Sequence, residues 1–231
     1  MMFPLNHGVI ASPDSPVHMT PDYPVSTGLV GLWDANEYGK NPSVIGDGSV
    51  LPDLSGNNHP LSAVTSSDSV RLETDYDAST PFYIHSLADA MELLNAFGGV
   101  DAKSVPFTYV IRVLYLPGGS TNRYAGFYPS VSGDPSYMLA GDNSMRFNNG
   151  TFSFPGGSGK RTLAVRHDVS GSCDVFVDGS KVADAGAVPS GAAQDRFFIT
   201  DCQYVFAAVH QANLSDAEIV AIHDYSIGAS P

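Results

Sequence analysis

Basic residues are scarce in this chain: 11 Lys and Arg stand against 24 Asp and Glu, a formal net charge of −13. They form no cluster, so neither nucleic acid nor an anionic membrane is expected as a direct partner, because both need a basic footprint. Cysteine is almost missing. Cys173 and Cys202 are too few for a disulfide framework or a cysteine metal site. Each falls in a strand-like run and reads as a small core residue, or the two pair if their strands are neighbours. No apolar run approaches the length of a membrane span, so membrane insertion is not expected. The opening residues, MMFPLNHGVIASPDSPVHM, lack the basic region and apolar core of a secretory signal, which predicts a protein made in a cytoplasm that leaves, if it does, by another route. No Gly-x-Ser-x-Gly elbow exists, and no Cys–His site is visible. The histidines (His7, His18, His59, His85, His167, His210 and His223) are scattered, with no metal-ligand spacing that includes a third partner. His223, at the end of the last helical run, suits the helix dipole.

What is present describes an ordered, turn-rich β protein. The 231 residues include 23 Gly and 16 Pro, 43% of residues are hydrophobic, and the length is enough for a two-sheet core without staples. The organising stretch is Lys160 to Val182. Leu163, Val165 and His167 alternate with Ala164 and Arg166, the period of a strand with one buried face. After the Asp168–Ser172 turn, Cys173, Val175 and Val177 resume the alternation. Asp178-Gly179 is a two-residue hairpin signal, since both central positions of that turn need positive φ. The result is an antiparallel meander.

Elsewhere, FTYVIRVLYL (Phe107 to Leu116) is the most apolar strand and belongs at the centre of a sheet. Further strands are expected at Gly28–Asp34, Val70–Asp77, Tyr124–Tyr128, Tyr137–Ala140, Met145–Phe147, Thr151–Phe154, Arg196–Thr200 and Tyr204–His210. Residues 36–58 read as surface loop. Ser86 to Phe97 reads as a short helix with Ser86 as N-cap and Leu87, Met91 and Leu94 on one face. Ser215 and Glu218 form a capping box that opens a closing helix. Residues 1–27 carry Pro4, Pro13, Pro16, Pro21 and Pro24, which forbid helix and disfavour ladder pairing. They predict an extended arm on which Phe3, Leu5, Val9 and Ile10 are the apolar anchors, held across its own domain or by a neighbouring subunit.

Two polar groupings carry candidate chemistry. Asp53, Asn57 and Asn58 offer oxygens in one turn, and Asp178 or Asp216 could join them around Ca2+; turn geometry alone explains the same residues. Arg123, Tyr124, Tyr128 and Tyr137, with Asn122, Tyr115 and Phe127 nearby, combine aromatic faces with polar groups that suit a sugar or protein ligand. Core packing is the alternative for most of these aromatics.

In order, GLVGLWDANEYG, DLSGNNHPL, FTYVIRVLYL, KRTLAVRHDVSGSCDVFVDGSKV and VHQANLSDAEIVAIHDY resemble a laminin-G-like, concanavalin-A-like jelly roll over roughly residues 28–226. The resemblance implies an all-β, two-sheet antiparallel jelly-roll sandwich. Joined to the helix and arm readings, it gives a domain over 28–231 with two short helices and an extended N-terminal arm over 1–27. Domains of this kind bind carbohydrate or protein, and they also occur in tailed-bacteriophage particles. The arm and the missing signal favour the phage case: a non-enzymatic capsid decoration (cement or head-surface) protein of the virion. Its partners are then neighbouring capsid or tail subunits, with symmetric copies as a homo-oligomer. The alternatives are a tail- or fibre-associated module binding a host-surface glycan, or a glycosidase. Laminarinase-type glycosidases on a similar sandwich carry catalytic carboxylates spaced like Glu73, Asp75 and Asp77, which are equally the polar face of an ordinary strand. No cofactor is expected beyond the Ca2+ alternative.

Overall fold

The computed structural model describes residues 22–228, apart from 65–68, 78–79, 88–90, 115–122, 129–135, 141–143, 148–149, 154–159, 171–172, 185–192 and 200–201. In chain order the elements are β1 (Leu29–Asp34), α1 (Ala35–Lys40), a 3-10 turn (Pro42–Ile45), β2 (Val50–Leu51), β3 (Leu61–Ala63), β4 (Ser69–Asp77), β5 (Thr80–Leu87) and β6 (Met91–Leu93). A second 3-10 turn (Ala102–Ser104) leads into β7 (Phe107–Val113), followed by β8 (Arg123–Tyr128), β9 (Ser136–Ala140), β10 (Ser144–Phe147) and β11 (Gly150–Ser153). The last elements are β12 (Arg161–His167), β13 (Cys173–Val177), β14 (Ser180–Asp184), β15 (Arg196–Ile199), β16 (Gln203–His210) and α2 (Asp216–Ser226).

The strands form two antiparallel sheets. One has the order β14-β13-β12-β7-β16-β5-β4, with β1 also paired to β16; the other runs β11-β10-β9-β8-β15-β6-β3-β2. The all-β sandwich expected from the sequence is what forms. Its meander is in register, with Val165 opposite both Val175 and Tyr109, and Asp178 and Gly179 take φ of 50° and 77° at the hairpin tip. β7 lies between β12 and β16. It reads as a continuous apolar run because both of its faces are covered. One face meets the other sheet through aromatic rings. Phe107 and Tyr109 of β7 and Trp33 of β1 pack on Phe127 and Phe197, with Phe107 and Phe127 centroids 4.7 Å apart. A Cβ at Gly31 would come within 2.5 Å of the Trp33 ring, so glycine is what lets that indole lie flat against its own strand. The other face of the sheet carries α2, which buries Ile219 and Ile222 against β7, β12 and β14.

Two expectations are overturned. Residues 86–97 contain no helix among the described positions: β5 continues through Leu87, and Met91–Leu93 is a strand. Met91 and Leu93 are buried while Glu92 faces Arg196, a period of two fixed by pairing with β15 and β3. Sheet pairing overrides the helical spacing of Leu87, Met91 and Leu94, and Leu94 ends exposed. Nor is 36–58 a surface loop. Asp34 caps α1 by accepting the Asn36 N–H at 2.8 Å, and Tyr38, Ile45, Leu51 and Leu54 all join the core.

Candidate functional site

Asp53 is buried, and its carboxylate organises the chain around it. One oxygen accepts the Leu32 N–H at 3.0 Å and the Ser55 N–H at 2.8 Å; the other accepts the Ser55 hydroxyl at 2.6 Å and the His59 N–H at 3.0 Å. Asn57 donates its amide to the Leu29 carbonyl at 2.8 Å. Donors crowd the carboxylate from β1 and from its own turn, which is the arrangement for fixing a loop and the opposite of what a cation needs. Asp178 and Asp216, the other proposed ligands, are engaged elsewhere, with Thr162 and Arg161 and with Arg166 respectively. Among the described residues no three His, Cys, Asp or Glu side chains come together as a metal site.

Glu73, Asp75 and Asp77 lie on β4, the edge of its sheet. The register with β5 shifts between Thr74 and Asp77. The side chains of Asp75 and Asp77 lie outside the described residues. Arg123, Tyr124 and Tyr128 fall on β8 and Tyr137 on its neighbour β9, so the topology brings these strands together; their side chains also lie outside the described residues, as do Tyr115 and Asn122. Phe127, grouped with them in the sequence, is wholly buried in the core. The arm anchors Phe3, Leu5, Val9 and Ile10 precede the described residues. Cys173 and Cys202 do not form a disulfide: Cys173 opens β13 and Cys202 precedes β16, with β12 and β7 between those strands. Burial pushes the pKa of His223 down, which disfavours the charged form a dipole role would need.

The structure does assemble a polar cleft of about 420 Å³ where the β12–β13 turn meets the start of α2, lined by Arg166, Asp168, Asp174, Asn213, Ser215 and Glu218. Arg166 stands over the Phe176 ring, 4.8 Å from its centroid. It donates to Asp174 through Nε at 3.1 Å and Nη2 at 2.6 Å, and Nη1 reaches Asp216 at 2.6 Å and the Leu214 carbonyl at 2.8 Å. Lys181 completes the group, 2.6 Å from the other Asp174 oxygen. Burial works against the guanidinium charge, but the bonds to Asp174 and Asp216 outweigh it and raise the Arg166 pKa. The cluster therefore ties α2 to the meander; a ligand with hydroxyl or cationic groups would have to compete with these ion pairs.

A second polar junction holds the root of the proline-rich stretch. Tyr23 and Val25 are buried, and the Tyr23 ring packs against Phe206, His210 and Tyr225. Tyr225 in turn donates to Asp34 at 2.8 Å.

No protein-family model matches the sequence, and no curated protein does. Solved structures match it through the fold. Trypanosoma rangeli sialidase superposes with a TM-score of 0.60 at 17% identity, over 90% of this chain and 34% of its own. The same organism's sialidase in complex with sialic acid gives 0.57 at 17% identity, over 90% and 35%. The binding domain of Botulinum neurotoxin DC in complex with rat synaptotagmin II gives 0.49 at 10% identity, over 73% and 49%. The fold is a known β-sandwich. The chain spans about a third of the length of the sialidases it matches.

Sequence reasoning passed over both polar junctions. Arg166 and Asp174 could have been found by counting back from the turn, because the meander register sets them opposite each other. Tyr23 gave no signal: it sits between Pro21 and Pro24, with its partners at the far end of the chain.

Proposed function

We propose that this chain is a non-catalytic binding module of a tailed-phage particle, a capsid decoration protein attached through the stretch before residue 22. The observation that carries the reading is the seating of Tyr23 and Val25 in the sandwich, which gives the preceding segment a fixed point of departure; Phe3, Leu5, Val9 and Ile10 of that segment are the proposed anchors for a neighbouring subunit. The commitment of Asp53, Arg166, Asp174 and Asp216 to internal bonds supports a scaffold over an active site. A second reading, a glycan-binding module of a tail or fibre, is favoured by the likeness to a sialidase structure holding sialic acid and by the adjacency of β8 and β9, which carry Arg123, Tyr124, Tyr128 and Tyr137.

Deleting residues 1–21 tests both. Under the first reading the truncated chain keeps its unfolding midpoint but no longer co-purifies with particles, and the intact chain is blank on a glycan array. Glycan binding that survives the deletion supports the second. Hydrolysis of any glycoside by the purified chain would sink both.

A further inference from the structure

His210, the last residue of β16, is wholly buried beneath residues 22–28. Its Nδ1 lies 2.8 Å from the Thr27 carbonyl, and its Nε2 lies 2.7 Å from the Tyr23 hydroxyl. A carbonyl only accepts, so Nδ1 carries the ring proton and Nε2 is left to accept the Tyr23 O–H. Both bonds go to the same strap. Two further bonds fasten it: the Gly28 carbonyl accepts the Gln211 N–H at 2.7 Å, and the Thr27 hydroxyl donates to Glu218 at 2.9 Å.

A second proton on the ring would turn Nε2 into a donor, so that the Tyr23 hydroxyl would have to accept and its own proton would lose the Nε2 acceptor, and would place a charge where water is excluded. Peeling residues 22–28 away uncovers both ring nitrogens and removes both penalties. We infer that His210 is a protonation latch: the neutral imidazole clamps the root of the N-terminal stretch, and acid releases that root while the two sheets persist. The inference concerns the strap alone and holds whatever the preceding stretch attaches to.

The surrounding groups bear this out. Tyr23, from the strap, has its pKa raised well above the ordinary value by burial and stays neutral. From α2, Tyr225 meets the edge of Tyr23, and Glu218 favours the protonated ring, though its carboxylate is already held by Ser215 and Thr27. Thr108 of β7 and Leu29 of β1, opposite His210 in the register, bring no charge. Asp34 lies behind Tyr225. Burial wins, and the His210 pKa is lowered from 6.5 to about 4. The clamped form therefore binds a proton less readily than the released form. The clamp is at full strength well above pH 6.5, weakens by up to about tenfold per pH unit below it, and has lost roughly 160-fold by pH 4, approaching about 300-fold only below that.

Hydrogen exchange on the full chain, expressed as protection factors, tests this through two amides that depend on the strap: Leu29, bonded to Ser26, and Gln211, bonded to Gly28. Their protection should fall by up to about tenfold per unit between pH 6.5 and 4, while amides of β7 and β12 hold. His210→Asn keeps a donor for Thr27 and cannot titrate, so its slope should vanish; Asp34→Asn should leave the slope intact. Strap and core amides losing protection together, or a slope that survives in His210→Asn or disappears in Asp34→Asn, overturns the inference. If His210→Asn does not fold, the wild-type imidazole resonance decides. Its titration must coincide with strap loss, and a midpoint near 6.5 with the strap still protected overturns the latch.

Discussion

Single side chains hold distant parts of this chain together, and their removal should be felt well beyond their own turn. Asp53→Ala strips the acceptor from three backbone N–H groups and a hydroxyl, and is expected to cost about 2–4 kcal/mol in urea unfolding, since buried donors left without partners each carry a desolvation penalty. Ca2+ should leave the midpoint of the wild-type protein unchanged. Arg166→Met leaves Asp174 buried with only Lys181 to answer it and should cost about 3 kcal/mol by the same measurement. Half of this was legible. The Asp53–Asn58 turn announces itself through its own residue types, but Leu32, the donor that makes Asp53 a tie between two segments, is remote in sequence and sends no local signal.

At the scale of elements, strands bounded by strong turn residues were readable and those defined by their neighbours were not. The Lys160–Val182 meander carries its own register, because Asp178-Gly179 fixes the tip and the alternation on either side fixes the faces. β6 is three residues long and exists because β3 and β15 flank it; alone, its sequence is at least as good a helix. α1 was missed for a similar reason, being too short for a periodic pattern and recognisable chiefly by the Asp34 cap. The closing helix was the opposite case, because the Ser215–Glu218 capping box is written in the sequence and both of its bonds form. Ser215→Ala should lower stability by about 1 kcal/mol, measured by thermal melting, while Ser215→Asp should retain most of it.

For the molecule as a whole, alternation and turn chemistry were enough to name the class, since a two-sheet sandwich is the main way for so many half-apolar strands to hide one face. Its thiols offer a probe of cooperativity. Cys173, in β13, and Cys202, just before β16, are fully buried, and burial raises the Cys173 pKa far above the ordinary thiol value, so neither should react with a thiol reagent in the native state. Both should be modified at one common rate set by global unfolding; unequal rates would divide the sandwich into independently opening parts. The contact between Tyr23 and Tyr225, with ring centroids 5.4 Å apart, has a geometric corollary. The described chain enters and leaves the sandwich at one corner, so a short peptide joining residues 22 and 228 should permit new termini at an exposed hairpin tip without loss of folding. The same corner would let the domain ride as a cassette within a surface loop of another protein, and any pull applied through its ends would peel that corner open before it sheared a sheet.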